Sequence, residues 1–296
     1  MYFLHFCPKN FMKEYSIDEL KVLCRQVRRD IIRMVFNANS GHPGGSLGCV
    51  EVLVALYFKI MKHQPQPFNM DGVGEDLFFL SNGHITPVYY SVLARSGYFP
   101  VEELKTFRKI NSRLQGHPAT HEGLPGVRIA SGSLGQGMSV AIGAALAKKL
   151  NKDDRIVFSL HGDGELQEGQ IWEAAMFAAG RKVDNYIAII DYNNKQIDGN
   201  VEDVMPLGNL RKKFEAFGWI VVENENGNDL EKVIDKLLEC KKHLHQGQPV
   251  VLINKTEMGY GVDFMMGTHK WHGKAPNEEQ TKIALSQLPE TPFGDF

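Results

Sequence analysis

From Gly132 onward the chain alternates short, continuously apolar runs with helical patterns, and this alternation limits the fold more than any other feature. Runs at 156–160, 186–191, 219–222 and 249–254 read as strands, and 136–150, 169–179, 208–217 and 228–244 read as helices. Strands that are apolar on both sides belong in a mostly parallel sheet with helices on both faces. The first half fits the same scheme. Ser16-Ile-Asp-Glu19 is a capping box opening a helix whose apolar positions (Leu20, Leu23, Val27, Ile31, Met34) keep the helical period to about Ala38. Ser40 to Gly45 should break that helix. A second helix is expected at 47–61, a strand at 77–80, a loop at 81–84 and a helix at 87–95. Neither a repeat nor an interior linker divides the chain. The expectation is one α/β domain over 16–288, with 1–15 as a tail (1–11 as an upstream mis-start or loose tail) and 289–296 as a C-terminal tail.

Composition removes several classes of function. The 33 basic and 35 acidic residues leave a net charge of −2, without the basic excess or stripe of a nucleic-acid binder. No apolar stretch reaches the roughly 18 residues of a membrane span, and Met1 to Pro8 lacks the basic start of a signal peptide. Cys7, Cys24, Cys49 and Cys240 stand far apart with no C-x-x-C pair, as expected of a cytoplasmic protein.

In a parallel sheet ligands gather at the carboxyl ends of the strands. Two of these ends are unusually polar: His161-Gly162-Asp163-Gly164 and Asp191-Tyr192-Asn193-Asn194. Asp163 offers a hard oxygen donor between two glycines, and Asn193 a neutral amide oxygen. With a backbone carbonyl just after Asn193, the set suits Mg²⁺ completed by phosphate oxygens. Either residue alone reads as a turn residue. Thirty positions apart, with one βα unit between them, the pair points to a metal–diphosphate site.

The sequence Gly162-Asp163-Gly164 through Glu168, followed by Asp191-Tyr-Asn-Asn194, resembles the fingerprint of thiamine diphosphate enzymes. Further segments resemble transketolase in the same order along the chain: Ser40-Gly-His-Pro-Gly-Gly-Ser-Leu-Gly48, Leu80-Ser-Asn-Gly-His84, Gly116-His117-Pro118, Ser131-Gly-Ser-Leu-Gly-Gln-Gly137 and His272-Gly-Lys-Ala-Pro276. The resemblance covers about residues 16–288 and only the N-terminal, diphosphate-binding domain of that family. It implies the N-terminal subunit of a split transketolase, which transfers a two-carbon ketol unit between sugar phosphates, as in the pentose phosphate pathway. The implied cofactors are thiamine diphosphate and Mg²⁺, with Ca²⁺ or Mn²⁺ as possible substitutes.

By the same resemblance, Asp163, Asn193 and the carbonyl of Lys195 are metal ligands. His84, Gly132, Ser133, Leu134, Gly164, Glu168, Asn193 and His272 contact the cofactor. His42, His117 and His272 are catalytic, with His42 and His117 holding the donor hydroxyls. Imidazole titrates near neutrality and suits proton transfer on a polyol, although a lone histidine is more often an ordinary core or surface residue. The family more often has proline at the position of Ser133. Glu168 reads equally as an acid favoured at a helix N-terminus and as the family's glutamate between two active sites. Ile197 reads equally as a cofactor contact and as core, and His269 matches a family position without a role. The carboxylate that activates the aminopyrimidine, and the arginines for the sugar phosphate, lie in segments this sequence lacks. The implied partner is a C-terminal transketolase subunit carrying the pyrimidine-binding domain, most simply as two copies of each chain. Other readings are another thiamine diphosphate enzyme (1-deoxyxylulose-5-phosphate synthase or a 2-oxoacid dehydrogenase), a ketolase for an unusual sugar phosphate, or a non-catalytic regulatory protein that kept the fold.

Overall fold

The computed structural model describes residues 14–296, so the reading of residues 1–11 lies outside the described residues. Five strands, β1 (Leu77–Leu80), β2 (Val157–Gly162), β3 (Tyr186–Tyr192), β6 (Ile220–Asn224) and β7 (Val250–Lys255), form one parallel sheet in the order β1-β2-β3-β7-β6. A two-residue antiparallel hairpin, β4 (Lys195–Gln196) and β5 (Gly199–Asn200), follows β3. Successive strand residues point to opposite faces, and both faces are covered. Phe78, Leu80, Phe158, Leu160, Ile187 and Ile189 enter one core, and Leu77, Phe79, Val157, Ala188 and Ile190 enter the other.

The larger core lies under α1 (Ile17–Ala38), α2 (Pro43–Gly48), α3 (Val50–Ala55), α4 (Thr86–Arg95) and α9 (Leu230–Lys242). The smaller is closed by α5 (Gln136–Leu150), α6 (Gly169–Gly180) and α8 (Leu210–Ala216), with α7 (Val201–Val204) beside it. A final helix, α10 (Glu278–Ser286), packs against α1. The capping box of α1 forms as its sequence dictates: Ser16 Oγ accepts from Glu19 N at 3.2 Å, and the Glu19 carboxylate accepts from Ser16 N at 2.9 Å. Residues 289–296 lie against α1, where Asp295 accepts from Arg29 at 2.6 Å and from Gln26 at 3.0 Å. Among the described residues no helix is long and apolar enough to cross a membrane.

One helix differs from expectation. The segment 47–61 is not a single helix but α2, α3 and a π-helical turn at Leu56–Ile60, and α2 starts within the stretch expected to break it. The glycines there serve close packing rather than a turn. A Cβ on Gly44 would lie 2.8 Å from Met258 Cγ and the Trp271 carbonyl, and one on Gly45 would lie 2.9 Å from Ile85. Pro43 occupies the first helical turn, where its missing N–H is no loss.

Candidate active site

The carboxyl ends of β1, β2 and β3 open into a cavity of about 410 Å³. Three loops meet at its floor, tied by the buried Glu165. Its carboxylate accepts from Ser81 Oγ after β1, from Gly135 N at 2.9 Å before α5, and from Gly162 N at 3.1 Å at the end of β2. Ser81 Oγ also accepts from Gly137 N at 3.1 Å, in the first turn of α5. Burial opposes ionisation of Glu165, but His161 at 3.6 Å and these donors prevail and hold it below the usual carboxylate range.

Asp163 is 1% exposed and closes the gap between β2 and β3. Oδ1 accepts from Gly164 N at 2.8 Å, while Oδ2 accepts from Asn193 N at 3.0 Å and from Asn194 N. Asn194 adopts φ 58°, the left-handed conformation asparagine tolerates. Asp191 accepts from Asn193 Nδ2 at 2.7 Å, which fixes that amide with Oδ1 receiving Lys195 N at 2.8 Å. Burial, and then the Asp191 carboxylate, push the Asp163 carboxyl up to about 7. Such a pair of buried acids is a place where a cation is welcome. Among the described residues no group of three His, Cys, Asp or Glu side chains is placed to hold a metal ion.

Four imidazoles crowd together in the same cavity. The ring centres of His42 lie 5.1 Å from His84, 5.7 Å from His272 and 6.4 Å from His117, and His84 stacks on His272 at 5.0 Å. Burial, then the neighbouring charges of His272, Arg108 and His117, push His42 down to about 4. His84 and His272 are lowered mainly by burial, with further repulsion from neighbouring histidines, and His117 by burial and then Arg108. These rings are therefore neutral at pH 7 and can accept hydrogen bonds.

The structure brings nearly all of the sequence-derived site residues to this one cavity. His42, His84, His117, Gly132, Leu134, Asp163, Gly164, Glu168, Asn193, Lys195 and His272 line it. Ser133 is exposed beside them and does not line it, nor does His269. Glu168 is the exposed N-cap residue of α6 and makes no capping hydrogen bond. Ile197 lines the cavity and is 59% exposed, which removes its reading as plain core. Sequence alone does not single out Glu165, Asn82, Asp191 or Arg108 as site residues. Glu165, Asn82 and Asp191 lie inside the motifs, but only the folded contacts separate them from ordinary loop residues.

Known proteins share both sequence and fold. The family described as "Transketolase, thiamine diphosphate binding domain" matches residues 20–295. An apulose-4-phosphate transketolase subunit of Actinobacillus succinogenes is 40% identical over 278 residues, covering 93% of this chain and 98% of that protein. The 6-deoxy-6-sulfo-D-fructose transketolase subunit SqwG of a Clostridium species is 38% identical, covering 94% of this chain and 98% of that protein. The crystal structure of transketolase from Campylobacter jejuni superposes with a TM-score of 0.85 at 36% identity, covering 93% of this chain but 43% of that one. The fold is thus that of a thiamine diphosphate-binding domain. The chain belongs to the transketolase family, as one subunit of a thiamine diphosphate-dependent transferase. It spans less than half of the transketolase chains solved as crystal structures and nearly all of the two relatives that are themselves named as subunits.

Proposed function

We propose that this chain is the diphosphate-binding subunit of a two-chain transketolase, transferring a two-carbon ketol unit from a ketose phosphate to an aldose phosphate. The observation that carries the reading is the cavity itself, lined both by a cation-seeking oxygen cluster and by four neutral imidazoles. Asp163, Asn193 and the Lys195 carbonyl would hold Mg²⁺. Gly132, Leu134, Gly164, His84 and His272 would hold the cofactor, with Ser133 contributing through its main chain. Thiamine diphosphate, when bound, supplies the nucleophile that accepts the ketol unit. His42 and His117 would accept hydrogen bonds from the donor hydroxyls and carry their protons, and Glu168 would stand where the two active sites meet. Gly83 and Gly45 let the loops around the cavity pack closely, since a Cβ on Gly83 would lie 2.1 Å from the Ser131 carbonyl and one on Gly45 2.9 Å from Ile85.

The partner would be a separate chain carrying the pyrimidine-binding domain, most simply with two copies of each polypeptide. Two relatives of nearly equal length are named subunits, which supports this division. So do Val140, Met176 and Phe177, apolar side chains of α5 and α6 that are 43%, 61% and 47% exposed. The donor would be a specialised sugar, since the same two relatives are named for apulose 4-phosphate and 6-deoxy-6-sulfo-D-fructose. The test assays ketol transfer by the chain alone and co-purified with its second polypeptide, with cofactor, Mg²⁺ and a panel of ketose donors including those two classes. Only the assembly should turn over. Asp163→Ala in the assembly should abolish Mg²⁺-dependent cofactor binding by calorimetry. Robust turnover by the lone chain, or wild-type cofactor affinity in Asp163→Ala, overturns the proposal.

A further inference from the structure

Arg108 stands outside every segment that carries the family resemblance, yet it touches both loops that bear the donor-side histidines. Its Nη1 donates to Ser40 Oγ at 2.8 Å, two residues before His42. Its Nη2 reaches the carbonyl of Gly116 at 3.5 Å, immediately before His117. That carbonyl also accepts from Thr86 Oγ1 at 2.9 Å, which fixes it to α4. A Cβ on Gly116 would lie 2.7 Å from the guanidinium carbon, so this position has no room for a side chain while Arg108 lies across it.

Arg108 holds this place against its own preferences. Its φ of 57° is uncommon for a residue with a side chain, and its Nε is buried without a hydrogen-bond partner. Strain of this kind, kept by the surroundings, gathers where a site demands it.

We propose that Arg108 is the positioning residue of the donor site, stapling the His42 loop to the His117 loop so that both imidazoles face one substrate at a fixed spacing. The inference rests on the ketol-transfer reading above for its function, but not for its geometry. The staple also acts through charge. His42 faces His84, His117, His272 and Arg108, while His117 faces Arg108 and His42. Burial is the first cause of their lowered basicity; among the neighbours of His117, Arg108 is the one whose positive charge is permanent. Burial keeps the two rings in the neutral, accepting form, and the fixed cation adds to that effect.

Two measurements test this. Histidine NMR titration of the full chain should show the His42 and His117 midpoints rising in Arg108→Gln and staying near wild type in Arg108→Lys, which keeps the charge but not the planar fork. In the two-chain enzyme, Arg108→Gln should lower kcat/KM for the ketose donor by about 10–10²-fold, the scale expected when reacting groups lose alignment by an ångström. Cofactor affinity should be unchanged. Arg108→Lys should recover only part of that loss, and Ser40→Ala, which removes the Nη1 acceptor, should lower kcat/KM in the same direction. If Arg108→Gln does not fold, Arg108→Lys and Ser40→Ala carry the test. Midpoints that do not move, kcat/KM that holds, or an equal loss of cofactor affinity would each overturn the staple. A wild-type assembly without ketol transfer would instead sink the reading of the reaction, and the NMR midpoints would still decide whether the Arg108 charge acts on both rings.

Discussion

Replacing Gly83 by alanine probes how tightly the cofactor cradle is built. Gly83 lies in the turn between β1 and His84, and a Cβ there would fall 2.1 Å from the Ser131 carbonyl oxygen and 2.6 Å from Ser131 Oγ. Ordinary C···O contact is about 3.3 Å, so one of the two backbones must retreat by roughly 1 Å. Neither is free to do so. Gly83 N donates to the Ser81 carbonyl at 2.9 Å, Ser81 N is bonded to Leu160 O of β2 at 2.9 Å, and Ser131 is 1% exposed. Overpacking of this kind costs about 1–3 kcal/mol. The same displacement carries His84 or the Gly132–Leu134 turn with it, so cofactor binding should weaken in the assembled enzyme. Gly143, in the interior of α5, is the matched control: a Cβ there meets nothing within 4 Å, and the backbone is helical. Alanine at that site should stabilise by about 0.5–1 kcal/mol through helix propensity alone. Urea unfolding of the three full-length proteins, followed by circular dichroism, should therefore order them Gly143→Ala, wild type, Gly83→Ala. A Gly83→Ala protein within about 0.5 kcal/mol of wild type, a surface-like effect, would refute the steric argument.

Two further outcomes follow from burial and charge. His42 takes its proton near 6.5 when unfolded but only near 4 when folded, so the unfolded state binds more protons within that window and stability falls as pH drops through it. The penalty is absent above about 6.5, and His42→Gln should show a shallower loss of urea midpoint between pH 7.5 and pH 5; parallel slopes would contradict the assignment. Glu51→Ala should be severely destabilising, by about 3–5 kcal/mol. It strands Arg28, which is 6% exposed and bonded to both Glu51 oxygens at 2.5 and 2.7 Å. A thermal midpoint near wild type would show that the pair contributes little.

The sheet is legible in the sequence because each buried strand is a continuous apolar run between turn residues, and the helices because their patterns are long. Boundaries differ by only one or two residues for β2, β3, β7, α4 and α6. The hairpin at Lys195–Asn200 is invisible in the sequence because two-residue strands carry no periodicity. The division of 47–61 is equally hidden, because the glycines of α2 answer to Met258, Trp271 and Glu257, which lie far away along the chain. Asp163 and Asn193 can be paired because strand ends are predictable places. Arg108 and Glu165 cannot be, since each works by joining loops whose proximity exists only after folding.

The four crowded imidazoles carry a consequence beyond their separate roles. Two protonated rings 5.0–5.7 Å apart, the separations among His42, His84 and His272, repel by about 3 kcal/mol at an effective dielectric of about 20. The first proton to enter therefore makes the second roughly a hundredfold harder to add. The rings therefore titrate as a coupled set, in which the midpoint read at each ring depends on the charge of its neighbours. At pH 7 the cluster is empty, and as the pH falls it behaves as a store that fills one proton at a time. An anionic group entering the cavity favours filling that store, and its departure favours emptying it, so occupancy of the site and proton count are bound to change together.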